Sequence, residues 1–286
     1  MPGKPTSLGS SWDLLPLGLR RNLSAAMDAA AATAARIVSA VAAWLTAVLL
    51  ARLLGEAAFG QFIAISAVLQ LLGVVPDAGL NRVLVRDVSI RPEIGASYVR
   101  SIRMVRMVLA LAILPIAALA ASSNPQFGGA SLVIGAISLL FLAGAKTTEG
   151  LLYSTDKIRR AAVLSSLYSL VRLAFGAGAA LAGLGVAGVM VAHTFASAVY
   201  DLLLRTTVPT APPSRGYRTS VRSLLAASYP FAALAALDAL YARLDIVMLA
   251  WLALPSSEIG LYGAAYKMFE AASIPLSSIG AVLVPS

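Results

Sequence analysis

Residues 107–145 include no ionisable side chain, and residues 173–199 contain a single one, His193. A helix crosses the hydrocarbon core of a bilayer in about 20 apolar residues, so each run holds one to two crossings. Neither run shows the alternating ten-residue segments of a membrane β-barrel. With no water to satisfy the backbone, the remaining structure is the α-helix. The chain is therefore expected to be an all-α membrane protein. Composition agrees, with 59% of 286 residues hydrophobic and 12% charged, against roughly 25% charged in a soluble domain. So few charges cannot cover a water-facing surface.

Eight transmembrane helices are expected, near residues 29–54, 57–76, 105–121, 127–145, 161–182, 186–204, 224–254 and 259–284. The links between them alternate. The N-terminus and residues 81–106, 146–160 and 205–222 are polar and basic, whereas 55–56, 122–126, 183–185 and 255–258 carry few charges. Seventeen of the 22 Lys and Arg fall on the first side, and Arg52 lies near the second. Basic loops stay in the cytoplasm, which predicts a multi-pass inner-membrane protein with its N-terminus inside. The net charge of +9 then reports topology and attraction to anionic membrane lipids, and no nucleic-acid partner is expected. Lys4, Arg20 and Arg21 precede an apolar stretch that continues into further spans, unlike a cleaved signal peptide. The absence of cysteine excludes disulfides and thiolate metal sites. No metal site or cofactor is expected.

Within the basic segments, residues 91–106 are expected to lie along the membrane surface, with Tyr98 and Val99 toward lipid. Pro209, Pro212 and Pro213 predict an extended linker. The expected division is a six-helix N-terminal lobe (1–205), a cytoplasmic linker (206–222) and the first two helices of a second lobe (223–286). An internal repeat supports it. Leu50-Ala51-Arg52-Leu53 leads into Phe59-Gly60-Gln61-Phe62, and Leu249-Ala250-Trp251-Leu252 leads into Ile259-Gly260-Leu261-Tyr262, with 200 residues between Gly60 and Gly260. Transporters are commonly built from such repeats, with the substrate site between them.

The same residues carry a family likeness. The stretch from Ala51-Arg52-Leu53-Leu54 through Phe59-Gly60-Gln61-Phe62, followed by Asp77-Ala78-Gly79-Leu80 and Val85-Arg86-Asp87, resembles the opening spans of polysaccharide biosynthesis flippases. These are the O-antigen and exopolysaccharide transporters of the multidrug/oligosaccharidyl-lipid/polysaccharide exporter superfamily. Tyr241-Ala242-Arg243-Leu244-Asp245-Ile246 and Gly260-Leu261-Tyr262-Gly263 through Tyr266-Lys267 are similar to the start of that family's second lobe. The resemblance implies a transporter rather than an enzyme, which flips a polyprenyl-pyrophosphate-linked oligosaccharide by alternating access and contacts other polysaccharide-assembly proteins. Family members have more spans than eight, so the resemblance also implies a C-terminally truncated member. A drug or metabolite exporter of the same superfamily is the alternative, followed by an integral-membrane glycosyltransferase or polymerase.

Charges inside spans point to a polar cavity independently of the resemblance. Each costs about 2.5–3.5 kcal/mol at the bilayer centre on insertion scales and usually faces a cavity or a counter-charge. Arg36, Arg172, Arg243 and Lys267 are the candidate substrate-binding cations, because a guanidinium grips phosphate oxygens in a bidentate fork. Asp238, Asp245 and Glu270 are the candidate carboxylates for a coupling proton or sodium ion. Asp238 and Asp245 are seven residues apart and share a helix face, as do Lys267 and Glu270. The alternative for the whole set is ion pairing between helices, with Lys267 to Glu270 and Arg36 to Asp77 as the expected pairs.

Other motifs read as packing. Gly183-Leu184-Gly185-Val186-Ala187-Gly188 matches a dinucleotide pattern, but a membrane span rather than a strand precedes it, so a tight turn is expected. His193 is expected to be a packed core histidine. Pro115, Pro230 and Pro275 sit within spans as kinks or hinges. Trp44 and Trp251 lie in or near the outer halves of their spans, and Trp251 is expected to anchor at the interface.

Overall fold

The computed structural model describes residues 17–155, 157–207 and 220–283, with side chains between 26 and 270. Residues 208–219 of the expected 206–222 linker, its three prolines included, fall outside them, as do Lys4 and the side chains of Arg20, Arg21 and Pro275. The described residues form helices and short connections, with no strand. The helices are α1 (Leu17–Leu54), α2 (Glu56–Asp77), α3 (Leu80–Ile90), α4 (Gly95–Ser123), α5 (Ala130–Ser154), α6 (Ile158–Leu181), α7 (Gly185–Thr207), α8 (Val221–Trp251) and α9 (Ser256–Leu283). Short 3-10 turns at Pro92–Ile94 and Pro125–Phe127 lead into α4 and follow it.

Each expected span coincides with a helix. Six helical stretches, from the one ending at Leu54 to α7, are long and apolar enough to cross a membrane. Helices α8 and α9, with 31 and 28 residues, also exceed the length a crossing requires. Large apolar side chains such as Leu119, Leu181, Leu237 and Phe269 stand exposed around the bundle, the natural outer surface of a helical protein in lipid. The chain is an all-α, multi-pass membrane protein.

Helix α2 is the hub. Phe59, Phe62, Ile63, Ala64, Ile65, Ala67 and Val68 are buried nearly all round it, as expected of a helix with neighbours on every side. It packs against α1, α4, α5, α7, α8 and α9. One main core cluster joins it to Leu50 of α1, Phe127, Leu132 of α5, Met190 of α7, Ile246 of α8 and Ile259 of α9. This cluster lies toward the end of the bundle where α2 begins, termed below the Glu56 end; α2 closes at the opposite, Asp77 end.

Helices α2 and α9 cross with their backbones in direct contact. A Cβ placed on Gly60 would lie 1.6 Å from the Ser256 carbonyl oxygen, and one on Gly260 would lie 2.7 Å from the Glu56 carbonyl oxygen. The two contacts are reciprocal: each residue of one helix meets the residue 200 positions from its own neighbour on the other. Gly263 continues the seam against Ile63. With lipid tails as apolar as Leu, small residues that let backbones approach are what holds membrane helices together.

Two expectations are corrected at the Asp77 end. Residues 81–106 are not a loop with a surface segment, but α3 followed by the first turns of α4. Tyr98 does not face lipid: it is buried and donates a 2.5 Å hydrogen bond to Asp87, while Val99 packs against the core cluster that includes Leu80, Ile102 and Leu224. The physical reason is that α3 packs against α5, α8 and α4 at this end, and Arg103 and Arg106 of α4 find polar partners inside the protein. Arg106, fully buried, donates to Asp77 of α2 at 2.8 Å and to Thr147 of α5 at 2.9 Å. Arg103 donates to Thr148 at 2.7 Å, and Arg205 pairs with buried Asp201. The expected Arg36–Asp77 pair is thus absent, because Asp77 holds Arg106 and Arg36 lies on an exposed face of α1.

The expected tight turn at Gly183–Gly188 is present. Gly183 and Gly185 have φ of 70° and 62°, left-handed values that suit glycine, and together they reverse the chain between α6 and α7. Pro115 and Pro230 lie inside α4 and α8 without ending them. Trp251 ends α8, exposed, with its ring beside Phe127.

Candidate functional site

Below the α2–α9 seam a cavity of about 950 Å³ opens among α1, α2, α3, α5, α6, α7, α8 and α9. Its volume lies at the upper end of the range for small-molecule sites. The floor toward the Glu56 end is apolar, made by Ala47, Ile63, Met190 and Ile246. From there the lining runs to Asp77 and Arg82 at the other end. The main core cluster seals the Glu56 end, since Leu50, Phe59, Phe127, Ala250 and Ile259 are all buried there.

The wall carries five cations from five helices: Arg82 of α3, Lys146 of α5, Arg172 of α6, Arg243 of α8 and Lys267 of α9. Its carboxylates are Asp77, already paired with Arg106, and Asp238. A concave wall with one dominant sign of charge and low-dielectric surroundings focuses its field on a ligand of opposite sign. Cations outnumber carboxylates on this wall, a balance that favours an anionic over a cationic occupant. Ser39, Ser66, Ser169 and Tyr168 bring hydroxyl groups to the same wall.

Of the cations singled out in the sequence, Arg172, Arg243 and Lys267 meet at this cavity, while Arg36 does not line it. Arg172 has no carboxylate within 4 Å among the described residues. Arg243 is held firmly. Its Nε donates to Gln70 Oε1 of α2 at 2.8 Å, its Nη2 to Glu270 Oε1 of α9 at 2.6 Å, and its guanidinium lies 5.2 Å from the Tyr266 ring centre. Lys267 donates to the other oxygen of Glu270, also at 2.6 Å. The expected Lys267–Glu270 pair is thus present, but as part of a bridge between α8 and α9 that also touches α2.

The three carboxylates separate. Asp238 is exposed on the cavity wall. Asp245 lies nearer the Glu56 end, where its oxygens accept from Tyr262 of α9 at 2.5 Å and from the Ile246 amide at 2.8 Å. Glu270 is engaged by Arg243 and Lys267. The shared helix face of Asp238 and Asp245 meets two surroundings, because α9 closes on α8 at one end of that face and not at the other.

Arg82 and Lys146 join the wall although their sequence positions suggested loops. Arg82 sits on α3, which packs against α5 and α8, with its guanidinium 5.6 Å from the Phe231 ring centre. Lys146 lies well inside α5, which continues to Ser154. His193 is buried, edge-on to Phe62 with 5.9 Å between ring centres, and also touches the cavity.

No curated protein and no solved structure matches the chain. The family model described as polysaccharide biosynthesis protein matches residues 26–286, every helix but the first turns of α1, and the chain belongs to that family of membrane proteins.

Proposed function

We propose that this protein flips a polyprenyl-pyrophosphate-linked oligosaccharide across the inner membrane during surface polysaccharide assembly. The observation that carries this reading is the cavity wall of Arg82, Lys146, Arg172, Arg243 and Lys267. Guanidinium and ammonium groups where water is scarce bind phosphate oxygens through strong charge-assisted hydrogen bonds, and a diphosphate offers enough oxygens for several. The hydroxyl-bearing part of the wall is assigned to the glycan. A drug exporter would be served by fewer arginines and more isolated carboxylates than this wall carries.

The basic links at the Asp77 end support reading it as the cytoplasmic end. The cavity lining then reaches the cytoplasmic side and the α2–α9 seam closes the outer side, an arrangement suited to loading. The reciprocal Gly60 and Gly260 contacts support reading α1–α2 and α8–α9 as the leading helices of two repeats that rock about their crossing. Of the three carboxylates, Asp238 faces the cavity, and we assign it the coupling proton or sodium ion. The experiment is complementation. In cells lacking their own flippase the full-length gene should restore surface polysaccharide, and Arg172→Ala and Arg243→Ala should abolish it at unchanged protein level. Normal polysaccharide in both variants removes the pyrophosphate assignment.

A further inference from the structure

The bridge at Arg243 suggests how an anion is held without being trapped. Two of the five wall cations, Arg243 and Lys267, come from different helices and converge on one carboxylate, each on its own oxygen at 2.6 Å. Glu270 itself is not part of the cavity lining, whereas both of its partners are. One side chain therefore presents two anionic oxygens to two cations, which is the arrangement a phosphate would offer from the cavity side. Gln70 and the Tyr266 ring hold the guanidinium from α2 and α9 without adding charge.

We infer that Glu270 is an internal counter-ion that occupies the phosphate-binding donors of Arg243 and Lys267 while the cavity is empty and competes with substrate phosphate for them. This rests on the reading of the cavity as a diphosphate site and adds a specificity device to it. A singly charged ligand gains little by displacing a carboxylate that already satisfies both donors. A diphosphate carries the additional charge and oxygens needed to win the exchange. On release Glu270 recaptures both cations, so the headgroup leaves a wall that is already neutralised in part.

The test uses the purified protein in detergent with farnesyl diphosphate as probe and farnesol as the headless control, with affinity read by calorimetry. Glu270→Gln keeps the shape and one acceptor but removes the competing charge. It should bind farnesyl diphosphate about tenfold tighter, the scale of one charge-assisted hydrogen bond, while farnesol binding is unchanged. Glu270→Asp, one methylene shorter, cannot bridge both cations and should tighten binding to a lesser degree. In the flipping assay Glu270→Gln should lower both the half-saturating substrate concentration and the turnover, a split that a merely structural residue would not give. Unchanged or weaker diphosphate binding in both variants overturns the counter-ion role. If instead wild type binds the diphosphate no better than farnesol, or Arg243→Ala and Lys267→Ala bind it like wild type, the diphosphate reading of the cavity is what fails.

Discussion

Replacing Gly60 by alanine tests the crossing on which both the cavity and its closure depend. The added Cβ would sit 1.6 Å from the Ser256 carbonyl oxygen, 2.6 Å from its carbon and 2.9 Å from the Gly260 nitrogen. These are backbone atoms, so no side chain can swing aside. Bringing the first contact to the 3.0 Å below which real Cβ atoms are essentially never found requires α2 and α9 to part by at least 1.4 Å. Overpacking of this kind costs about 1–3 kcal/mol, and a backbone clash belongs at the upper end. At about 2–4 °C for each kcal/mol, the loss in thermal midpoint is about 6–12 °C. Gly260→Ala, with 2.7 Å to the Glu56 carbonyl oxygen, needs a shift of only 0.3 Å and should lose about 1 kcal/mol. Gly178 supplies the control: it lies inside α6 with nothing within 4 Å of its added Cβ, and alanine there should gain about 0.5–1 kcal/mol through helix propensity. The assay is thermal unfolding in detergent, followed by fluorescence-detected size exclusion at matched protein amounts. The predicted order is Gly178→Ala, wild type, Gly260→Ala, Gly60→Ala. A Gly60→Ala protein as stable as Gly178→Ala would refute the close crossing.

The polar stitch at the Asp77 end makes a second set of expectations. Arg106→Ala leaves Asp77 and Thr147 without their shared cation and should cost about 3 kcal/mol, the scale for breaking a buried pair, read in the same unfolding assay; Arg86→Ala, at an exposed pair, should cost under about 1 kcal/mol. Asn124 donates from a buried position to the Ala250 carbonyl at 2.9 Å, so Asn124→Ala should lose about 1–3 kcal/mol and loosen the turn that ends α8. Asp238→Asn should leave farnesyl diphosphate binding intact but remove the dependence of transport on the proton or sodium gradient; a variant that still responds to both gradients removes Asp238 from coupling.

How much of this was legible in the sequence follows from the range of each interaction. Spans such as α2 and α7 were readable because a membrane helix advertises itself through a local run without charge. The Gly60 and Gly260 correspondence was readable as a pattern, yet nothing local says that the two glycines touch. Arg243, Lys267 and Arg172 stood out because a charge inside an apolar run is anomalous wherever it points. Arg82 and Lys146 were hidden by the opposite circumstance: a basic residue near the end of a span looks like a loop residue until α3 is seen to pack against α5 and α8. Tyr98 was misread for the same reason, since an amphipathic helix looks alike whether its apolar face meets lipid or protein. Arg36 shows the reverse error, a charge inside a span that lies on an exposed face. The separation of Asp238 from Asp245 depends on where α9 approaches α8, which no spacing within α8 records.

The most direct measurement is flipping itself. Liposomes holding the purified protein and a fluorescent short-chain polyprenyl diphosphate sugar would be treated with dithionite, which bleaches only label in the outer leaflet. The account predicts that wild-type vesicles lose nearly all fluorescence as inner-leaflet lipid is brought out, while Arg243→Ala vesicles stop at the outer-leaflet fraction like protein-free ones. A wild-type protein that bleaches no further than empty vesicles, or an Arg243→Ala protein that bleaches as fully as wild type, contradicts it.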